Sequence, residues 1–209
     1  MKDLFVLTAD ADAMAAMTSV LKRHMFIGIR PVAFDVYRHT MRDSGVVKDG
    51  HVFVRRYKGK YHKVLLIWDH HGSGFDSLEP RRCIEIVQER LNLVTWQGDS
   101  GAVVLVPELE EWLWHNEASL CKRLGISTAD LQIWVEEYVK KKNTTVARVK
   151  QEQPKELFEY VCIEKARRTI SPKDFEEIAR VASLVDWQNS DSFRAVVSLL
   201  QSWFPGPSY

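Results

Sequence analysis

Three short apolar runs, each followed by a helix-like pattern, constrain the fold of this chain most. They are residues 3–7, 63–68 and 102–106. A continuous apolar run of this length is typical of a strand that is buried on both faces. Apolar residues then recur at helical spacing, as Cys83 and Val87 do after the second run. Strands that alternate with helices predict an α/β fold, with a mainly parallel sheet flanked by helices.

A further strand is expected at residues 30–37, because Val32, Phe34 and Val36 alternate with other residues there. Between Asp43 and Lys63 the pattern is weak. The "RDSG" stretch suggests a turn, and residues 47–57 could form a short helix.

The character of the sequence changes after Asn116, where strand-like runs end and helix start signals dominate. These signals are Ser127 with Asp130, Pro154, Ser171 with Pro172, and Ser190. We therefore expect two parts: an α/β domain over residues 1–116, and an all-helical C-terminal region over residues 117–209 that packs on it. The polar stretch 140–153 is predicted to be a linker.

Charge and cysteine usage limit the function classes. The 29 basic and 28 acidic side chains nearly balance, so nothing global requires a nucleic acid or an anionic membrane as partner. Three widely spaced cysteines fit reduced thiols in a cytoplasm. Since no apolar run approaches the roughly 18 residues of a membrane span and no signal peptide is evident, we expect a cytoplasmic protein without membrane contact.

Any basic site must therefore be local, and one stretch is a candidate. It could follow a nucleic-acid backbone with Lys140, Lys141, Lys142, Arg148 and Lys150. The alternative is a solvated helix end, where lysines suit the helix dipole.

Acidic residues and histidines follow three of the predicted strands. They are Asp10 and Asp12 after the first, Asp69, His70 and His71 after the third, and Glu108, Glu110 and Glu111 after the fourth. The carboxyl ends of parallel strands meet at one edge of a sheet, so these side chains are expected to lie close together. Carboxylate oxygens suit Mg²⁺ or Mn²⁺, and imidazole shifts the preference towards Mn²⁺, Zn²⁺ or iron. The sequence therefore predicts a cation site at this edge.

Structural roles would also account for these residues one by one. Asp10 or Asp12 could cap the first helix, and Glu110 and Glu111 suit a helix's first turn. The glycines after His71 could serve a tight turn.

Two tryptophans in the segment "PELEEWLWHN" cannot face the same side of one helix. One of Trp112 and Trp114 is therefore expected to reach a crevice or an interface.

Four segments carry a family resemblance. The stretch 107–116, "PELEEWLWHN", resembles the Pro-Glu-Ile-Glu-Ala-Trp-Leu segment of small Toprim-like proteins encoded beside ATPase genes in bacteria, and "DWQNSDSFRAVVSLLQ" (186–201) is similar to their closing helix. Together with "LTADADAM" and "LLIWDHHGSG", these segments resemble the Toprim-like proteins of methylation-associated phage-defence loci.

The resemblance implies a Toprim-like fold and a component of a prokaryotic antiviral system that cuts or nicks nucleic acid. The implied partners are other defence proteins, including an ATPase, and DNA or RNA. The implied catalytic residues are Asp10, Asp69 and Glu110. The implied ligands of a divalent metal, Mg²⁺ or Mn²⁺, are Asp10, Asp12, Asp69, His71, Glu108 and Glu110.

Two departures from the Toprim pattern support an alternative. Thr8 stands where the family has a Glu, and His71 stands where it has the second Asp of an Asp-x-Asp pair. The alternative is a non-catalytic adaptor or nucleic-acid-sensing subunit with a degenerate site.

Overall fold

The centre of the molecule is one sheet of four parallel strands, in the order β2-β1-β3-β4. The structure is a computed structural model and describes residues 1–207. The strands are β1 (Lys2–Thr8), β2 (Phe34–Arg38), β3 (Tyr61–Asp69) and β4 (Ser100–Leu105). The predicted α/β class with helices in the C-terminal part is thereby confirmed.

The strands form where the apolar runs predict them, because both faces of the sheet are covered. In β1, Leu4 and Val6 face one hydrophobic cluster, while Phe5 and Leu7 face another, and all four are fully buried. An apolar run without alternation is the expected sequence of such a central strand.

Four helices complete the part before Asn116, and α2 lies where the sequence pattern was weak. They are α1 (Ala11–Lys22), α2 (Arg42–Arg55), α3 (Pro80–Leu91) and α4 (Glu111–Trp114). Gly50 lets α2 approach β3, since a Cβ at this position would lie 2.9 Å from Leu66 Cδ2. Glycine lowers helix propensity, so the residue that permits this packing also obscures the helix in the sequence.

Seven helices follow. They are α5 (Glu117–Leu124), α6 (Thr128–Lys142), α7 (Val146–Glu152), α8 (Pro154–Glu159), α9 (Pro172–Val181), α10 (Leu184–Trp187) and α11 (Asp191–Trp203). Shorter turns of other helix types span His24–Ile27, Asn92–Trp96 and Tyr160–Lys165. The expected start signals Ser127, Ser171 and Ser190 are the N-caps of α6, α9 and α11.

The linker prediction for residues 140–153 is wrong, because the whole of α7 lies inside this stretch. Thr145 caps α7 by accepting a hydrogen bond from the Arg148 N–H, and Val149 is buried. One apolar contact and one cap therefore order a segment that is otherwise polar.

Helix α9 packs against α1 and joins the C-terminal helices to the sheet. Ser19 Oγ donates to the Glu176 carbonyl at 3.1 Å, and the Arg23 guanidinium donates to the carbonyls of Ala179 and Ala182 at 2.9 and 2.7 Å. The buried cluster on this face of the sheet contains apolar residues of both helices.

Trp112 and Trp114 are both buried, and Trp114 also lines a cavity beside β4, in agreement with the expectation that one of the two reaches a crevice. The Trp112 indole N–H donates to Ser192 Oγ at 2.8 Å, and the Trp114 N–H donates to the Pro154 carbonyl at 3.0 Å. The two indoles thus bind different C-terminal helices, because Ser192 belongs to α11 and Pro154 to α8.

Two further findings concern the whole described chain. Cys83, Cys121 and Cys162 are free and buried. Between residues 1 and 207, no helix combines the length and the apolar character needed to cross a bilayer.

Candidate acidic site at the strand ends

Asp10 follows β1 and begins α1. Its Oδ1 accepts hydrogen bonds from the N–H groups of Asp12 and Ala13 at 3.0 and 2.9 Å, so it is the N-cap of the helix. Asp12 lies in the first turn, where burial and then the charge of Asp10 raise its pKa to about 6. The capping role considered for Asp10 is confirmed, and the cap holds its carboxylate at the carboxyl edge of the sheet.

Asp69 ends β3 and connects two neighbouring segments. Its N–H donates to Asp43 Oδ1 at 2.8 Å, and its own Oδ1 accepts from the Leu109 N–H at 3.0 Å. Asp43 lies in the first turn of α2. Carboxylates thus connect the end of β3 by hydrogen bonds to the start of α2 and to the segment after β4.

Hydrogen bonds place Asp69 beside Asp43 and beside the segment that carries Glu108 and Glu110, and we call these acids together with Asp10 the acidic cluster. The pKa of Asp69 is raised well above its usual range, first by burial and then by like charges. The contributing charges are those of Asp43, Glu110, Asp10 and Glu108. Acids that follow the first and fourth strands thus act electrostatically on the acid that ends the third.

Glu108 and Glu110 lie on the loop between β4 and α4, and each is only 7% exposed. Burial raises the pKa of Glu110 to about 8, while Lys155 opposes this shift. Burial also raises the pKa of Glu108. Isolated carboxylates in such surroundings take up protons or find cations.

Lys155 at the start of α8 is the cation that faces these acids. Its Nζ lies 4.0 Å from Glu108 Oε1. Burial disfavours its charge, but the carboxylates of Glu110, Glu108 and Asp69 outweigh this effect and raise the pKa of Lys155.

Sequence reasoning missed both Lys155 and Asp43. Pro154 signalled a helix start beside Lys155, but nothing in the sequence indicates that this start meets the strand ends. Asp43 lay in the stretch read as a turn.

The histidines lie at the rim of the cluster. His71 is exposed over 65% of its side chain, with Nδ1 3.3 Å from Glu108 Oε1. The ring of His70 points away, with Nε2 2.9 Å from the Leu78 carbonyl. Gly72 and Gly74 have positive φ and donate their N–H groups to the Asp76 carboxylate, which supports the tight-turn role considered for them.

Thr8, at the position of the family's Glu, is fully buried. Its Oγ1 is within hydrogen-bond distance of the carbonyls of Asp10 and Tyr37, at 3.1 and 3.2 Å. This side chain supports the loop after β1 and presents no charge to the cluster.

The carboxylates are not close enough together to coordinate one metal ion. Over residues 1–207, no three His, Cys, Asp or Glu side chains are grouped in positions that would hold a metal ion. The carboxylate oxygens are nevertheless of the kind that a hard cation prefers. In the described part of the chain, the hydrogen bonds accepted by the side chains of Asp10, Asp43 and Asp69 all involve Oδ1. One oxygen of each group fixes its position, and Oδ2 remains for a ligand.

The predicted nucleic-acid stretch lies on α6 and α7, and its Lys150 lines a cavity together with Val106, the residue after β4. Lys140, Lys141 and Lys142 are exposed in the last turn of α6, as expected for a solvated helix end. Arg148 pairs with Glu152 at 2.8 Å, and Lys150 pairs with Glu117. Lys141 lies 3.9 Å from Glu164. Three of the five cations therefore have an acidic partner, and the role of the stretch in nucleic-acid binding stays a prediction.

A separate cavity of about 670 Å³ lies beside the edge strand β4. Its wall includes Glu111, which accepts a hydrogen bond from Ser190 Oγ at 2.6 Å and contacts His115 Nε2 at 2.5 Å. Glu111 thus belongs to a different neighbourhood from Glu110.

Comparison with known proteins adds no assignment. The chain matches no protein-family model, no curated protein and no solved structure.

Proposed function

We propose that this chain binds a divalent cation, Mg²⁺ or Mn²⁺, at the strand-end acidic cluster and hydrolyses phosphodiester bonds of nucleic acid. The carboxylates of Asp10, Asp69 and Glu110 would hold the ion, with Asp12, Glu108 and His71 near it. The observation that carries the proposal is the position of the buried Asp69, which is hydrogen-bonded to Asp43 and to the Leu109 N–H between Glu108 and Glu110. A cation would relieve the repulsion between these carboxylates and supply a Lewis acid for the phosphoryl oxygens.

The chain's own groups suit such a reaction. The Lys155 ammonium would contact a non-bridging phosphate oxygen, because it reaches the same cluster from α8. Glu110, whose pKa burial raises to about 8, can take up or release a proton near neutral pH. Asp43 would act as a positioning residue, since it holds the Asp69 backbone.

The setting we propose is a prokaryotic antiviral system in which partner proteins, including an ATPase, deliver the nucleic acid. The support is the family resemblance of four segments of the chain. The chain would then act in the cytoplasm.

A second function, a non-catalytic adaptor or nucleic-acid sensor, is favoured by specific observations. Thr8 brings no carboxylate to the site, and Lys155 already neutralises part of its charge. In this case the cluster would keep the strand ends together without chemistry.

Metal titration and cleavage assays separate the two. For the nuclease, we expect the full chain to bind Mn²⁺ by calorimetry and to nick supercoiled plasmid or circular single-stranded DNA, alone or with the products of neighbouring genes. Asp69→Asn and Glu110→Gln should abolish both activities. Asp10 is best replaced by Asn, because this residue preserves the helix cap.

Asp49→Asn, at an exposed position of α2, is the matched control and should leave binding and cleavage unchanged. Mn²⁺ binding that survives in both site variants would contradict the site. Loss of protection in cells by these variants, without cleavage under any condition, would favour the adaptor.

A further inference from the structure

A surface of aromatic and basic residues lies on the α2 side of the sheet, next to the edge strand β2. We call it the aromatic-basic surface, and it consists of Tyr37, Phe53, Arg56, Tyr57, Lys60 and Tyr61. The buried Phe5 stacks with Tyr37 at 5.3 Å and with Tyr57 at 4.2 Å between ring centroids. Helix α2 packs on β1 and β3, and Tyr37 on β2 stays 47% exposed. Phe5 therefore fixes the ring of Tyr37 by stacking, while nearly half of this residue stays in contact with solvent.

The charges on this surface are positive. The Arg56 guanidinium lies 4.1 Å from the centroid of Phe53, and Lys60 Nζ lies 5.9 Å from that of Tyr57. The nearby acid, Asp35, forms an ion pair with Lys2 at 2.7 Å and accepts a hydrogen bond from the hydroxyl of Tyr61. No carboxylate of the described part of the chain lies within 4.0 Å of Arg56 or Lys60.

We propose that the aromatic-basic surface binds single-stranded nucleic acid. An unpaired base stacks on the ring of Tyr37, and Arg56 and Lys60 contact phosphates. Rings that lie beside uncompensated cations match the alternation of bases and phosphates along one strand. A duplex fits less well, because its bases already stack on each other.

The surface also leads towards the acidic site. The N–H of His39, just beyond β2, donates to the Thr8 carbonyl at 2.8 Å, so the end of β2 lies beside the loop that carries Asp10. A strand bound at Tyr37 can therefore continue to the strand-end cluster. The path of the strand towards the cluster rests on the proposed function, whereas binding of the strand at Tyr37 does not.

Fluorescence anisotropy with a labelled oligothymidylate of about 20 nucleotides tests the binding, with the full chain in EDTA. Tyr37→Ala should weaken binding about 5- to 100-fold, since that is the usual effect of losing one stacking ring. Tyr37→Phe keeps the ring and should stay within about twofold. Arg56→Ala combined with Lys60→Ala should lower the slope of log affinity against log salt by about 1 to 2.

Phe26→Ala is the matched control. Phe26 is 66% exposed and carries a guanidinium, that of Arg23, at 4.7 Å from its ring, but it lies outside the aromatic-basic surface. Its variant should bind the oligomer as the wild type does. Thermal unfolding of each variant confirms that the assay temperature leaves it folded.

Three results would overturn the inference: no binding by the wild type at low salt, equal binding by Tyr37→Ala, or equally tight binding of a blunt duplex. Failure of the nuclease proposal is distinguishable. Tyr37-dependent binding without any metal-dependent cleavage leaves this inference standing, whereas cleavage with an unchanged KM in Tyr37→Ala removes it and retains the nuclease.

Discussion

Glu110 occupies a place that is unfavourable for its charge. A buried acid with a pKa of about 8 binds its proton more tightly in the folded chain than in the unfolded one, where the usual value is 4.5. Stability is therefore greatest below pH 4.5, falls as the pH rises to about 8, and is constant beyond that as far as this group is concerned. Each pKa unit corresponds to about 1.4 kcal/mol.

Glu110→Gln should remove the fall in stability between pH 4.5 and 8 that is due to this carboxyl group. In metal-free buffer, the free energy of unfolding of this variant should equal that of the wild type near pH 4 and exceed it by on the order of a few kcal/mol at pH 8.5. Urea denaturation at both pH values measures the difference.

Glu79→Gln, at an exposed position before α3, serves as the reference and should show the wild-type pH dependence. If Glu110→Gln also follows the wild type at both pH values, the burial of this charge has no energetic effect.

The site residues were predictable only where position in the chain implies position in space. Asp10, Asp69, Glu108 and Glu110 follow strands, and parallel strands end at one edge, so the sequence indicates their proximity. Lys155 follows no strand, and its place depends on how α8 packs. That packing is a tertiary property without a local signal.

At the scale of elements, two capping boxes of the same type differ in burial. In α6, Asp130 accepts from Ser127 at an exposed position. In α9, the buried Asp174 accepts from Ser171 and also from Arg123 at 2.8 Å.

Asp174→Ala should therefore cost about 3 kcal/mol, since it removes a buried carboxylate that both caps α9 and pairs with the partly exposed Arg123. Asp130→Ala should cost only about 1 kcal/mol, the usual value of a cap. Chemical denaturation of the two variants compares them directly, and equal losses would contradict the importance of burial.

Helix α11 lies directly on β4 at Gly101, where a Cβ would come within 2.2 Å of Leu199 Cδ2. Gly101→Ala should therefore destabilise the protein by about 1 to 3 kcal/mol through overpacking. Adding Leu199→Ala makes room for the methyl group.

The double variant should lose less stability than the two single losses added together, by about 1 kcal/mol. If the stability losses of the two single variants simply add up in the double variant, α11 moves away from β4 at no energetic cost.

Elements were predictable where their apolar periodicity is strong. The strands β1, β3 and β4 and the capped helices α6, α9 and α11 belong to this group. The sequence signal of helix α2 was weak because the helix contains Gly45 and Gly50, which allow close packing. A Cβ on Gly45 would lie 2.1 Å from His39 Nδ1. Helix α7 was missed because it buries a single apolar residue, Val149.

At the scale of the molecule, the sheet and the C-terminal helices share one apolar cluster. Residues of α1 and β1 meet residues of α9 and α11 in it, and Trp112 and Trp187 lie inside, with ring centroids 5.7 Å apart. Neither part of the chain covers this cluster alone.

We therefore expect a single cooperative unfolding transition. Urea curves followed by far-ultraviolet circular dichroism and by tryptophan fluorescence should coincide. A fragment of residues 1–116 should unfold without cooperativity, because Trp112 and the apolar face of α1 lose their cover. Two separated transitions in the full chain would show that the C-terminal helices fold independently.

Lys155 enters the acidic cluster from a late part of the chain. A ribosome releases all four strands, with their acids, before this lysine leaves the exit tunnel. During that interval, the carboxylates that Lys155 later faces stay in water among dissolved counterions, because the apolar cluster of the fold also needs the later helices. The arrival of α8 then exchanges mobile counterions for one that is covalently attached.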